Sequence, residues 1–346
     1  MQLGIFGFAH GHGGIYVDVW RNQPGLGVEP AAAWDHDEAR LAENAAKFNL
    51  RPFTSPDALL AVPEIKAVLI AAETSRHAGL AVAALRAGKP VILQKPIALT
   101  LDEADAIAAA ARETGAPFTM AWQMRVDPEN LRIRELIAAG TFGRIQMVRR
   151  RHCLATHRMK NFDKSWHVDP AQNRNIWADD AAHPTDFLYW LFGMPVAATA
   201  EFTSFVNPRI PHDNGVAVFR YATGMLAEVT CSFAVSTGEN TTEIIGERGV
   251  LIQNFGDGPS AGARRPGLGV SLKWRVEGDA EWIVEDSARN QGDRIRGLAA
   301  PLADFLHGCR PPIATAAEGR DVLAMVLACE ESAATGKRIS LPPSTA

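Results

Sequence analysis

Gly7-Phe8-Ala9-His10-Gly11-His12 follows a short apolar run, residues 3–6, and leads into a helical segment. A turn between a strand and a helix presents backbone N–H groups and the positive end of the helix to an anion; in dinucleotide-binding folds that anion is a pyrophosphate. Of the three glycine places in the G-x-G-x-x-G pattern only Gly7 is kept in register, with Ala9 at the second and His12 at the third. Asp35 ends the second apolar run, residues 31–34. A carboxylate there accepts hydrogen bonds from the adenosine ribose hydroxyls and repels a 2′-phosphate, which favours NAD. His36 and Arg40 close behind leave NADP open. Lys95-Pro96 follows residues 91–93, at the carboxyl end of a strand, where ligands gather in parallel sheets. In Asp179-Asp180-Ala181-Ala182-His183-Pro184-Thr185-Asp186, helical spacing puts Asp179, His183 and Asp186 on neighbouring positions of one face. Pro184 argues that the regular helix begins near His183, so the His183–Asp186 spacing is the firmer part of that reading. An imidazole titrates near neutrality and suits a general base.

The elements that must position these groups fall into two grammars. In residues 1–122, apolar runs at 3–6, 31–34, 68–72, 91–93 and 118–122 alternate with helical segments. Ser55-Pro56 offers an N-cap with proline at the first helical position, and Ser75 is read as the cap of a helix closed by Gly88 and Pro90. Thr100 and Glu103 have capping-box spacing, and Gly115 ends that helix. Such β/α alternation predicts an α/β, doubly wound parallel sheet of Rossmann type. From 123 to 346 the expectation is an α+β domain with an open, mainly antiparallel sheet. A helix over 129–139 opens it, and strands follow at 196–205, 215–221, 225–235, 242–245, 250–254, 270–276 and 281–284. Short turns at Ala222-Thr223-Gly224, Glu247-Arg248-Gly249 and Gly278-Asp279 make neighbours antiparallel. Residues 260–269 read as a loop, and helices at 297–306 and 316–335 close the chain.

Composition narrows the function classes. A chain of 346 residues with 47% hydrophobic and 21% charged residues is globular and long enough for two domains. A net charge of −4 argues against a broad grip on nucleic acid or anionic membrane. No apolar stretch reaches the roughly 18–20 residues of a membrane span, and the N-terminus lacks signal-peptide features, so a cytoplasmic location is expected. The four cysteines are scattered and read as reduced thiols. The ten histidines include His10-x-His12 and the pairs His152/His157 and His167/His183, with no third ligand at a standard metal spacing, so no metal is expected. Residues 151–178, carrying His152, His157, Arg158, Lys160, Trp166, His167, Asn173, Arg174, Asn175 and Trp177, read as a substrate-facing lid.

Gly88-Lys89-Pro90-Val91-Ile92-Leu93-Gln94-Lys95-Pro96 resembles the lysine signature of the Gfo/Idh/MocA oxidoreductases, and the Asp179–Asp186 segment resembles their D-x-G-x-H-x-x-D element. Residues 328–338 are similar to the family's terminal A-x-x-S-A-x-x-G helix end, so the resemblance spans nearly the whole chain. Departures are Gln94 for the usual glutamate, Ala181 for a glycine, and Asn173-Arg174-Asn175 for a glycine run. The resemblance implies an NAD(P)-dependent dehydrogenase acting on a hydroxyl carbon of a sugar, inositol or related polyol. His183 would take the hydroxyl proton, Asp179 would orient it or hold the substrate, and Lys95 would stabilise alkoxide charge. Gly7, Ala9, His10, Gly11, His12, Asp35, Thr74, His77, Gln94 and Lys95 are assigned to the cofactor; Arg125, Trp166, Asn175, Asp179 and His183 to substrate. Arg125, in the family's R-x-x-P, has bracing the domain boundary as its other reading. The resemblance also implies a homodimer or homotetramer through the second sheet. Two further activities stay open: a glycosidase or lyase that retains NAD and oxidises transiently, and an inactive cofactor-sensing regulator.

Overall fold

The computed structural model describes residues 1–236, 240–254, 270–287 and 290–346. Its first sheet has six strands, all parallel, in the order Arg51–Pro52, Glu29–Trp34, Gln2–Phe6, Ile65–Ile70, Val91–Leu93 and Phe118–Met120. The order reverses at Gln2–Phe6, whose neighbours are the second and fourth strands of the chain, and a crevice opens at the carboxyl ends there. The helices that cover this sheet begin where their caps say. Ser55 Oγ accepts from the Ala58 amide, and Thr100 and Glu103 form a complete capping box. Ser75 does not cap; it lies inside the helix Thr74–Arg86, which starts two residues earlier than that cap implies, behind Glu73 without a side-chain cap.

The second sheet has nine strands among the described residues, and all of its pairings are antiparallel except one. The exception is Ile145–Cys153, which runs parallel beside Leu226–Ser232 at the centre of the sheet. The sequence suggests no strand at 145–153, where Arg149-Arg150-Arg151-His152 interrupts any apolar run. Alternation explains it: Val148, Arg150 and His152 face inward, with the Arg150 guanidinium 3.8 Å from the Phe187 ring centroid and donating to Thr242 Oγ1 at 2.7 Å. The expected loop 260–269 lies outside the described residues.

The chain then returns to its first half. Met120 N–H donates to the Ala314 carbonyl, Trp20 Nε1 donates to the Ala299 carbonyl, and the helix Ala316–Thr335 packs against Leu101–Thr114. Gly319 makes this approach close: a Cβ there would stand 3.1 Å from Ile97 Cδ1 and 3.3 Å from Met120 Cγ. The outer face of the second sheet leaves Met147, Val216, Val218 and Leu226 exposed. No helix among the described residues is long and apolar enough to cross a membrane.

Candidate functional site

At the carboxyl end of the first strand, Gly7 adopts φ +82°, and a Cβ there would fall 2.5 Å from Ala72 Cα, so only glycine makes this turn. The helix Gly11–Asn22 starts behind His10, whose Nδ1 faces the His12 amide at 3.4 Å. The close helix–strand packing that the third glycine of the pattern provides is made by Gly13, one place beyond His12: its Cβ would lie 2.6 Å from Ala71 Cβ. Gly11 faces open space. The turn at Gly7 is thus in register with the motif, Ala9 stands at the second place, and the third place is moved by one residue to Gly13.

Asp35 is anchored beside this loop by the amides of Phe8 and Asp37 at 2.9 and 3.0 Å. Burial alone would raise its pKa, but the Arg40 fork and these amides hold it below the usual carboxylate value. Gln94, at the end of Val91–Leu93, is fully buried, with the Tyr16 hydroxyl as its polar neighbour. With the Gly7 turn, the close packing at Gly13 and Asp35 beside them, the residues suit a dinucleotide.

Lys95 and the Asp179–His183 segment meet at the wall of a cleft of about 420 Å³, lined also by His10, His12, His152 and His167. Lys95 Nζ donates to Asp179 Oδ1 at 2.7 Å, Asp180 Oδ1 at 3.1 Å and the Asp179 carbonyl at 3.2 Å. Burial pulls the ammonium towards its neutral form, yet the two carboxylates outweigh it and leave the pKa above its ordinary value. His183 comes from the next helix, Ala182–Phe192, which begins after a break at Ala181, as Pro184 required. Its Nε2 is 4.0 Å from Asp180 Oδ1, and its Nδ1 is buried without a partner. Burial first, then the Lys95 charge, hold the imidazole well below its ordinary pKa against the pull of Asp180, so it is neutral at neutral pH. Asp179 and Asp180 both pair with Lys95, and the carboxylate next to His183 is Asp180, three residues before it, in place of the expected Asp179.

Several expected contacts fall elsewhere. Arg125 Nε and Nη2 bind the buried Asp186 carboxylate at 2.7–3.1 Å, while Nη1 binds Glu318 and the Ile313 carbonyl at 2.7 and 3.2 Å. It braces the two halves and does not line the cleft, and Asp186 faces it instead of His183. Asn175 caps the helix Ile176–Asp180 by accepting from the Ala178 amide, and its amide nitrogen donates to Glu330. Thr74 Oγ1 donates to Asn173 Oδ1 at 2.5 Å. His77 is fully buried, its ring nitrogens 2.8 and 3.2 Å from the Pro96 and Ala72 carbonyls, so it fixes the turn after Lys95 from behind.

The segment 151–178 does border the cleft, through Leu154, Thr156, Met159, Lys160, Phe162, Ser165 and His167. His152 lines it too, its pKa pushed down to about 4 chiefly by burial. Trp166 stacks on His167 at 3.9 Å and donates its indole N–H to the Ala9 carbonyl at 3.1 Å, tying this segment to the nucleotide loop. Trp177 turns the other way, into the core beneath Phe202.

Comparison with known proteins agrees with this geometry. Residues 1–121 match the family described as "Oxidoreductase family, NAD-binding Rossmann fold", and residues 130–252 match the GFO/IDH/MocA C-terminal domain. The chain is 26% identical over 287 residues to 1,5-anhydro-D-fructose reductase of Ensifer adhaerens, covering 82% of each. It is 26% identical over 327 residues to inositol 2-dehydrogenase of Mycolicibacterium smegmatis, covering 91% of this chain and 89% of the relative. In fold it superposes with levoglucosan dehydrogenase in complex with NADH and levoglucosan (TM-score 0.84, 20% identity, 99% of each chain). It also superposes with the WlbA dehydrogenase of Bordetella pertussis in complex with NADH and UDP-GlcNAcA (TM-score 0.81, 22% identity, 99% of each chain). With both halves matched in order, the chain belongs to the GFO/IDH/MocA family and is an NAD-binding oxidoreductase.

Proposed function

We propose that the chain is a dehydrogenase that oxidises, or in reverse forms, one hydroxyl carbon of a sugar, inositol or related polyol. The observation that carries this reading is the convergence of Lys95 and His183 on one carboxylate: Asp180 Oδ1 lies 3.1 Å from the ammonium and 4.0 Å from the imidazole, at the wall of the cleft. When bound, the nicotinamide supplies hydride transfer. Lys95, kept protonated by Asp179 and Asp180, stabilises negative charge developing on the substrate oxygen. His183, kept neutral, takes the hydroxyl proton, and the imidazolium that forms is offset by Asp180. His152 and His167 supply polar groups to substrate hydroxyls in a cleft otherwise walled by Leu154, Met159 and Phe162. The exposed apolar stripe of Met147, Val216, Val218 and Leu226 supports association of two or four copies through the second sheet, and a monomer in light scattering rejects that part.

The test is a panel of sugars, inositols and polyols with NAD and NADP in parallel, read by NADH absorbance in the near ultraviolet. Lys95→Ala is expected to abolish turnover while the variant still binds NADH. Wild-type turnover in that variant rejects the role of Lys95, and silence across the panel rejects the substrate class.

A further inference from the structure

Asp35 and Glu73 stand after the two strands that flank the first strand, and so lie on either side of the nucleotide loop. Between them sits Arg40, the cation a 2′-phosphate would need, and it is held from both sides. Its Nε and Nη2 bind Asp35 Oδ2 and Oδ1, each at 2.7 Å, and Nη2 also donates to Glu73 Oε1 at 2.8 Å. His36 Nδ1 lies 3.3 Å from Glu73 Oε2 and 3.5 Å from Asp35 Oδ1, and Arg76 Nε lies 3.7 Å from the same Glu73 oxygen. The Glu73 side chain is only 3% exposed and is not used to cap the helix that follows it. A buried carboxylate is costly unless it is paired, so its position here reflects what it holds.

We propose that Glu73 is a cofactor-specificity residue: it ties down Arg40 and adds a second carboxylate beside Asp35, so that the site accepts a ribose with a free 2′-hydroxyl and rejects a 2′-phosphate. A phosphate monoester brings about −1.5 to −2 charges and is best met by an unengaged guanidinium fork. To serve it, Arg40 must give up its bond to Glu73 Oε1 and leave that buried oxygen without its charged donor, which is discrimination by a weakened buried pair. The inference rests on the reading that the adenosine ribose is received at Asp35.

The experiment measures NADH and NADPH dissociation constants by tryptophan fluorescence quenching, with a melting curve for each variant. Glu73→Gln keeps the size of the side chain and a hydrogen bond to Arg40 while removing the charge. The ratio Kd(NADPH)/Kd(NADH) is expected to fall at least about tenfold in Glu73→Gln, and the gain to vanish in Glu73→Gln/Arg40→Ala. An unchanged ratio overturns the proposal, as does a gain that persists without Arg40. Arg40→Ala alone is expected to leave discrimination intact; a loss of NADPH affinity of about tenfold there overturns the proposal, because Arg40 would already serve the phosphate. Asp35→Ser tests the foundation separately: NADH affinity that does not move removes the ribose reading whatever the Glu73 variants do.

Discussion

Asp180→Asn removes, without changing side-chain size, the carboxylate that among the described residues lies adjacent to both His183 and Lys95. At 4.0 Å from His183 Nε2, a full imidazolium–carboxylate pair is worth about 4 kcal/mol at an effective dielectric constant near 20, and about 2 at twice that. With the proton roughly half transferred in the transition state, the loss is about 1–2 kcal/mol, or roughly 5- to 30-fold in kcat. Lys95 keeps Asp179 at 2.7 Å, so its ammonium survives and cofactor binding is expected to hold. The His183 pKa, already depressed, is expected to fall further, since Asp180 is the group that raises it. The assay pairs steady-state kinetics over pH with carbon-13 NMR of labelled histidine. A variant with kcat within about twofold of wild type and an unmoved His183 titration refutes the assignment of Asp180 as its electrostatic partner.

Two further perturbations probe the scaffold. Arg125→Met strands the Asp186 carboxylate, which has no exposure, and is expected to cost about 3–5 kcal/mol in urea unfolding; Arg125→Met/Asp186→Leu recovers much of it, and equal stabilities across the set contradict the brace. Acid should destabilise the fold through His77 and His152, both held down to about 4 from 6.5, chiefly by burial. Below about 6.5 the unfolded chain binds protons the native state refuses, so stability present above that pH is lost on acidification towards about 4. Each histidine costs about 2 kcal/mol by about pH 5, and an urea midpoint that does not move between neutrality and that pH argues against their burial as neutral rings.

Local chemistry was legible wherever one residue decides one conformation. The turn at Gly7, the capping box at Thr100 and Glu103, and the hairpin turns of the second half are written in neighbouring residues. What escaped depended on partners distant in sequence. Arg150 and His152 make residues 145–153 look exposed until Phe187 and Thr242 are there to receive the guanidinium. Spacing along the chain pointed to Asp179 as the neighbour of His183, whereas Asp179 is taken up by Lys95 from 84 residues away and Asp180 faces His183. Gly13 hid behind the motif register, although a glycine one place past the expected one was a signal that could have been weighed. Asn175 and Arg125 had the right chemistry for substrate, but Glu330 and Asp186 claim them from far along the chain.

The return of the helix Ala316–Thr335 to the first half bears on how the molecule is made. Phe118–Met120 is one of the two edge strands of the parallel sheet, and the Met120 amide takes its acceptor from Ala314. During synthesis the nucleotide half therefore emerges first but cannot satisfy that edge until nearly two hundred later residues have been added. A fragment cut after the last parallel strand would expose to water the flank of Leu101–Thr114 that the helix Ala316–Thr335 covers, so the first half is not a self-sufficient unit in the way its own sheet suggests.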